Sequence, residues 1–221
     1  METRIRRWTW GDSIEPLRET VARGGVLALP TESSYALAAD PRSRRGVEAV
    51  FRIKQRPAGQ PLPVVIAGID ALPDLGVELP AGGLRGLERA WPGPLSVLLP
   101  CSLKLPASAG TGHLALRIPG HERLRVLLAD LGTGLTATSA NRSGEPALLE
   151  PGEVTRLLGD EDAILVDDGR LPGGDPSTLI ALRPDRAIIL RQGRLSLSEL
   201  ESLAPSWFSA EPVEIPVEES R

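Results

Sequence analysis

The sequence holds little from which to build a metal centre or a covalent catalyst. One cysteine, Cys101, and two histidines, His113 and His121, occur in 221 residues. A lone cysteine excludes an internal disulfide and fits a reducing compartment. With only two histidines beside it, no His/Cys zinc site can be assembled, so no metal ligands are assigned. Aromatic residues make up 3% of the chain, which leaves few platforms for stacking single-stranded nucleic acid. The formal net charge is −4, against a general electrostatic binder of RNA or DNA. No apolar run reaches the length of a membrane span. Arg4, Arg6 and Arg7 precede WTWGDSIEP where a signal peptide would carry its apolar region. These absences together predict a cytoplasmic protein with no membrane association. There is no Walker-type phosphate loop, no GxGxxG and no GxSxG. Lysine is scarce too: of 25 basic residues only Lys54 and Lys104 are not arginine. Each lysine raises the question of what arginine cannot do there.

What is present is a core. Apolar residues reach 41%, enough for one substantial domain. Helical signals cover Ser13–Arg23 before Gly24-Gly25, Arg44–Lys54, Gly83–Ala90, His121–Leu131, Pro151–Leu158 and Ser196–Leu203. The last opens on Ser196 with Glu199 three residues on, a capping box. Strand-type runs are Val26–Leu29, Leu62–Ala67, Leu95–Leu99, Leu114–Ile118, Leu135–Thr138, Ala163–Val166, Thr178–Leu182 and Ala187–Leu190. Roughly seven or eight strands interleaved irregularly with helices predict an α/β fold: a single domain with a twisted mixed sheet, flanking helices and an open cleft. The division predicted is a catalytic domain over residues 1–204 and an acidic, proline-containing tail over 205–221, lying against the domain as a partial lid.

Hydroxyl and cationic side chains gather at the ends of these strands. PTESSYALAAD, Pro30–Asp40, reads either as a strand-to-helix loop with capping hydroxyls or as a pocket wall. In RIKQRP, Lys54 and Arg56 stand two apart. They are either an anion site combining a point charge with a bidentate fork, or a solvated helix end. WPGP from Trp91 reads as a rigid turn with Trp91 over the core. Arg117 interrupts the apolar LALRIP and faces either solvent or a cleft, because burying a charge alone is expensive. TATSANRSGEP, Thr136–Pro146, offers Ser139 and Asn141 on alternate positions. DPST and LRQGR contribute Ser177 and Arg191. Such groups hold anions and polar small molecules, and no nucleophile–base pair stands among them.

PTESSYAL, KQRP, WPGP, LRIP, TSANRSG, DPSTL and LRQG, in this order over residues 13–195, resemble the YrdC-like family, the threonylcarbamoyl-adenylate synthases that start the t6A modification of tRNA. The resemblance implies formation of threonylcarbamoyl-AMP and pyrophosphate from L-threonine, bicarbonate and ATP. Mg²⁺ would be held through the ATP phosphates. By position it assigns Lys54 and Arg56 to catalysis, and Lys54, Arg56, Ser139, Asn141 and Arg191 to ATP. Thr31, Arg117 and Ser177 are assigned to threonine, with Tyr35, Pro63 and Ala137 as pocket wall. It also implies the proteins that transfer threonylcarbamoyl to tRNA as partners, and a local contact with tRNA. Departures from the family pattern are Ser33 and Ser34 for Thr and Val, Ala36 for Gly, and Pro63 where many members carry His. Two other readings remain: a divergent paralogue with a different substrate, and an RNA-binding module on the same fold.

Overall fold

Short turns and prolines decide where this chain pairs with itself. A computed structural model describes residues 6–57, 59–79, 84–182, 186–203 and 208–209. In chain order, β1 (Arg6–Thr9) leads to α1 (Glu15–Ala22), β2 (Val26–Pro30), β3 (Tyr35–Ala38), α2 (Arg44–Lys54) and β4 (Val64–Val65). Next come α3 (Leu84–Ala90), β5 (Leu95–Pro100), β6 (His113–Arg117), α4 (Glu122–Leu131), β7 (Leu135–Thr136) and β8 (Thr138–Ser139). The chain continues with α5 (Pro151–Leu158), β9 (Ala163–Asp167), β10 (Thr178–Leu182), β11 (Ala187–Arg191), α6 (Leu197–Leu203) and β12 (Phe208–Ser209).

The mixed α/β architecture is as expected, but the strands divide between two sheets. One has five strands in the order β1-β9-β2-β3-β8, the other seven in the order β12-β11-β10-β5-β6-β4-β7. The division passes through Leu135–Ser139, of which Leu135–Thr138 reads from sequence as one strand. Leu135 and Thr136 pair with β4, whereas Thr138 and Ser139 pair with β3. Only Ala137 lies between, and its N–H donates to the Pro63 carbonyl at 2.8 Å. The expected strand 62–67 contracts to Val64–Val65. Proline supplies no ladder donor, so Pro61 and Pro63 delay pairing until Val64.

Pro30–Asp40 is a β-hairpin, correcting the strand-to-helix loop. β2 and β3 pair antiparallel, and their residues are buried throughout. The turn is held locally: the Thr31 N–H and hydroxyl both donate to the Ser34 carbonyl, at 3.1 and 2.7 Å. Helix α2 starts at Ser43, whose hydroxyl accepts the Gly46 N–H, and buries Val47, Val50, Phe51 and Ile53. A large side chain of this kind contributes about 1.5–3 kcal/mol on burial. The capping box at Ser196 forms as expected, with the Glu199 carboxylate on the Ser196 N–H at 2.8 Å. Of the expected tail, Phe208 and Ser209 add an edge strand to β11; the rest, and with it the lid, lies outside the described residues.

Candidate functional site

The C-terminal end of α2 and the Thr136–Pro146 segment form one unit. Helix ends leave carbonyls without intrahelical donors. Here the Lys54 carbonyl accepts the Ser143 N–H at 2.8 Å, and the Ile53 carbonyl accepts Arg142 Nη1 at 2.9 Å. The same loop surrounds the Lys54 side chain, which is 4% exposed. Its Nζ donates to the Ser139 carbonyl at 2.6 Å and to Asn141 Oδ1 at 2.5 Å. Ser139 Oγ donates to the same Oδ1 at 2.9 Å, and Asn141 Nδ2 donates to the Glu145 carbonyl. Burial, and then the charge of Arg56, push the Lys54 ammonium down to about 8. Arg56 is held by the Gln60 side chain. Because its strong donors are committed, Lys54 offers a ligand chiefly its charge, in a place where water screens it weakly.

A second cluster forms where the β2–β3 turn meets the end of β6. Arg117 Nε donates to the Gly93 carbonyl at 2.9 Å, so the WPGP turn braces Arg117 as well as the core. Arg117 Nη2 forms an ion pair with Glu32 Oε1. Burial, and then the charge of Arg194, lower the Arg117 guanidinium to about 10. The sequence reading gave no role to Glu32 or Arg194; one acidic residue in a hydroxyl-rich turn, and one arginine past a glycine, carry no local signal.

The third cluster joins β5, β10 and the segment after β11. Ser177 Oγ lies 2.7 Å from Ser96 Oγ, and Arg191 Nη2 donates to the Ser177 carbonyl at 2.9 Å. Thr178 is buried, and its Oγ1 accepts the Gly193 and Leu195 N–H groups, both at 3.0 Å. The Arg194 N–H reaches the Pro176 carbonyl at 2.9 Å. Gly193 is required by contact: a Cβ there would lie 2.2 Å from the Pro176 carbonyl oxygen.

The structure thus gathers Lys54, Arg56, Ser139 and Asn141, places Arg117 against the Thr31–Ser34 turn, and links Ser177 to Arg191. Thr31 spends its hydroxyl inside that turn, accepting the Ser33 and Ser34 N–H groups as well as donating. Pro63 and Ala137 are half-buried and joined by their backbone hydrogen bond. Tyr35 is not a wall facing a ligand, which corrects that expectation. Its side chain is fully buried; the hydroxyl donates to the Gly169 carbonyl at 2.8 Å and accepts the Asp168 N–H at 3.1 Å. Its backbone carbonyl still takes the Ala140 N–H, bracing the Ser139–Asn141 loop from behind. Ala36 lies in the ladder opposite Leu29 and Ser139, where the extended backbone accepts its methyl. A separate cavity of about 620 Å³, lined by Trp8, Trp10, Arg123 and neighbours, contains none of these residues.

The family model Sua5_yciO_yrdC, described as "Telomere recombination", matches residues 19–193. The chain belongs to the Sua5/YciO/YrdC family. Among curated relatives, the threonylcarbamoyl-AMP synthase of Bacillus subtilis is 33% identical over 181 residues, 80% of this chain and 52% of that protein. The threonylcarbamoyl-AMP synthase of Thiobacillus denitrificans is 36% identical over 170 residues, 75% of this chain and 89% of that protein. The chain therefore spans about half the length of the Bacillus relative. A crystal structure of P. abyssi Sua5 complexed with L-threonine superposes with a TM-score of 0.80 at 29% identity, covering 94% of this chain and 63% of that one. All three clusters lie within or beside the span that the Sua5/YciO/YrdC model matches. Arg194 and Leu195 fall just past it.

Proposed function

We propose that the chain is an L-threonylcarbamoyladenylate synthase, which converts L-threonine, bicarbonate and ATP to threonylcarbamoyl-AMP and pyrophosphate. The observation that carries the reading is Lys54: a desolvated ammonium beside Arg56, enclosed by the Ser139–Asn141 loop. The name threonylcarbamoyl-AMP synthase borne by relatives supports the product, and the L-threonine in the P. abyssi Sua5 structure supports the amino acid. In this scheme the ammonium of threonine first gives up a proton to solvent, and the resulting neutral amine takes the one-carbon unit from bicarbonate, giving an N-carboxylate and water. A carboxylate oxygen then attacks the α-phosphorus of ATP, and the bond to the β-phosphate oxygen breaks as pyrophosphate leaves. Such a step needs positioning and charge stabilisation more than a covalent nucleophile. Lys54 and Arg56 hold the phosphates, Ser139 and Asn141 fix the wall beside them, and Arg191 adds a phosphate contact. Arg117 takes the threonine carboxylate, with Thr31 and Ser177 bordering it.

Cations, hydroxyls and an amide suit phosphate oxygens better than a bare divalent ion, so Mg²⁺ would be held through the triphosphate, whose charge it would neutralise. We place the reaction in the cytoplasm, upstream of proteins that transfer threonylcarbamoyl to tRNA, with at most a local contact to tRNA itself. Among the described residues no helix is long and apolar enough to cross a membrane. The test is pyrophosphate release from ATP and Mg²⁺ with threonine or bicarbonate omitted in turn. Release that needs both establishes the synthase; release indifferent to threonine overturns it in favour of another substrate.

Lys54 also sets a pH dependence. Its folded-state value, about 8, lies below the ordinary 10.5, so the charge that meets phosphate disappears about two units early. We expect kcat/KM for ATP, which reports the free enzyme, to fall with a midpoint near pH 8. Stability moves the other way. Between about pH 8 and 10.5 the unfolded chain holds more protons at this position than the folded one, so this group's contribution to stability rises across that window. A pH series of initial rates beside thermal melts checks both directions.

A further inference from the structure

Glu32 is the carboxylate that the scheme above leaves idle. It sits at the tip of the β2–β3 turn, whose backbone is fixed on both sides. The Thr31–Ser34 hydrogen bonds close the turn, and the Ser33 carbonyl accepts the Gly173 N–H at 2.8 Å. Both carboxylate oxygens are buried from water. Neither oxygen has a hydrogen-bond donor among the described residues; Oε1 forms the ion pair with Arg117 Nη2, and Oε2 has no partner of either kind. A buried acceptor without a donor is costly and rare in a native structure.

The surroundings indicate what Oε2 awaits. Gly120 borders the carboxylate: a Cβ there would lie 3.6 Å from Glu32 Oε1. Arg117 spends Nε on the Gly93 carbonyl and Nη2 on Glu32, and among the described residues Nη1 has no partner. An arginine and a carboxylate side by side suit a ligand carrying a carboxylate and an ammonium on neighbouring atoms. A ligand with a carboxylate alone satisfies the arginine and leaves Oε2 bare.

We propose that Glu32 receives the α-ammonium of the amino-acid substrate through Oε2 while Arg117 holds its carboxylate, so that the pair selects a zwitterion. This rests on the reading that threonine binds at Arg117. Charge-assisted hydrogen bonds of this kind correspond to about 10- to 100-fold in affinity.

Calorimetric titration with L-threonine and with 2,3-dihydroxybutanoate, its analogue bearing hydroxyl in place of ammonium, tests the assignment. The wild-type protein should bind threonine about 10- to 100-fold more tightly than the analogue. Glu32→Gln, which keeps the shape and removes the charge, should bring the two within about threefold of each other and leave ATP affinity unchanged. An unchanged ratio in the variant would mean that Glu32 only orients Arg117, and tighter threonine binding would make Glu32 a competitor of the substrate carboxylate; either overturns the proposal. A wild-type protein that binds ATP but no threonine overturns the threonine reading itself, a result distinct from both. Should Glu32→Gln lose ATP binding through misfolding, Glu32→Asp decides. It withdraws the carboxylate by one methylene, and threonine affinity unchanged in that variant sinks the idea.

Discussion

Replacing Lys54 by methionine is expected to lower threonine-dependent pyrophosphate release by at least about 100-fold, at the lower end of what removing one preorganised charge or donor does to a transition state. Methionine fills the buried track of the lysine stem and lacks only the ammonium. The fold should survive, because relief of the ammonium's desolvation offsets the loss of the Nζ donor to the Ser139 carbonyl, which costs about 1–3 kcal/mol, and Asn141 Oδ1 keeps the Ser139 hydroxyl. The loop is also retained by contacts that do not use Nζ, from the Ser143 N–H to the Lys54 carbonyl and from Arg142 to the Ile53 carbonyl. Lys54→Arg should be nearly as inactive. The site closes around Nζ with a carbonyl at 2.6 Å and an amide oxygen at 2.5 Å, and a planar fork cannot occupy the place of a point charge. In a chain so poor in lysine, this position has a physical reason for its choice. A melting temperature held within a few degrees while activity collapses would confirm that the loss is electrostatic. Activity within about tenfold of wild type would remove Lys54 from the mechanism.

Gly193→Ala is expected to produce the largest loss of stability, on the order of 3 kcal/mol or more, the upper end of overpacking. The added Cβ would lie 2.2 Å from the Pro176 carbonyl oxygen and 2.7 Å from the Ser177 carbonyl carbon. Backbone cannot rotate away as a side chain would, so the two segments must part. Parting them withdraws the Gly193 N–H from Thr178 and disturbs the seat of Arg191 on Ser177. For a domain of this size the melting temperature should fall by roughly 6–12 °C, and activity should fall in whatever fraction remains folded. A melt indistinguishable from wild type would mean that the 176–178 and 191–195 segments are not closely packed in solution.

The helices were legible because each carries its own punctuation. The span Arg44–Lys54 is recovered in full, since Val47, Val50, Phe51 and Ile53 recur at helical spacing and Arg56-Pro57 ends the run. β10 is recovered over Thr178–Leu182 for the same reason of a bounded apolar run. β1 was not legible: RRWT buries only Trp8 and gains its place by pairing with β9, about 160 residues away in sequence. β3 was hidden by the hydroxyls before it, since TESS looks like a cap when its partner strand is unknown. At the site, Lys54, Ser139 and Asn141 announced themselves as an unusual set of residue types. The Glu32–Arg117 pair did not, because nothing local relates a hairpin tip to a strand end 85 residues on.

Ala137 has a mechanical consequence. The last residue paired in the seven-stranded sheet and the first paired in the five-stranded sheet are Thr136 and Thr138, so two Cα steps, about 7 Å of chain, tether the sheets here. The tether is pinned at its midpoint by the Ala137 N–H on Pro63. Shearing the sheets apart at this seam therefore requires breaking backbone pairing on one side or the other. The spacing between the wall that holds Lys54 and the sheet that carries Arg117 is set when the chain folds. For the proposed reaction, a ligand spanning the two would not spend binding energy on drawing the halves together.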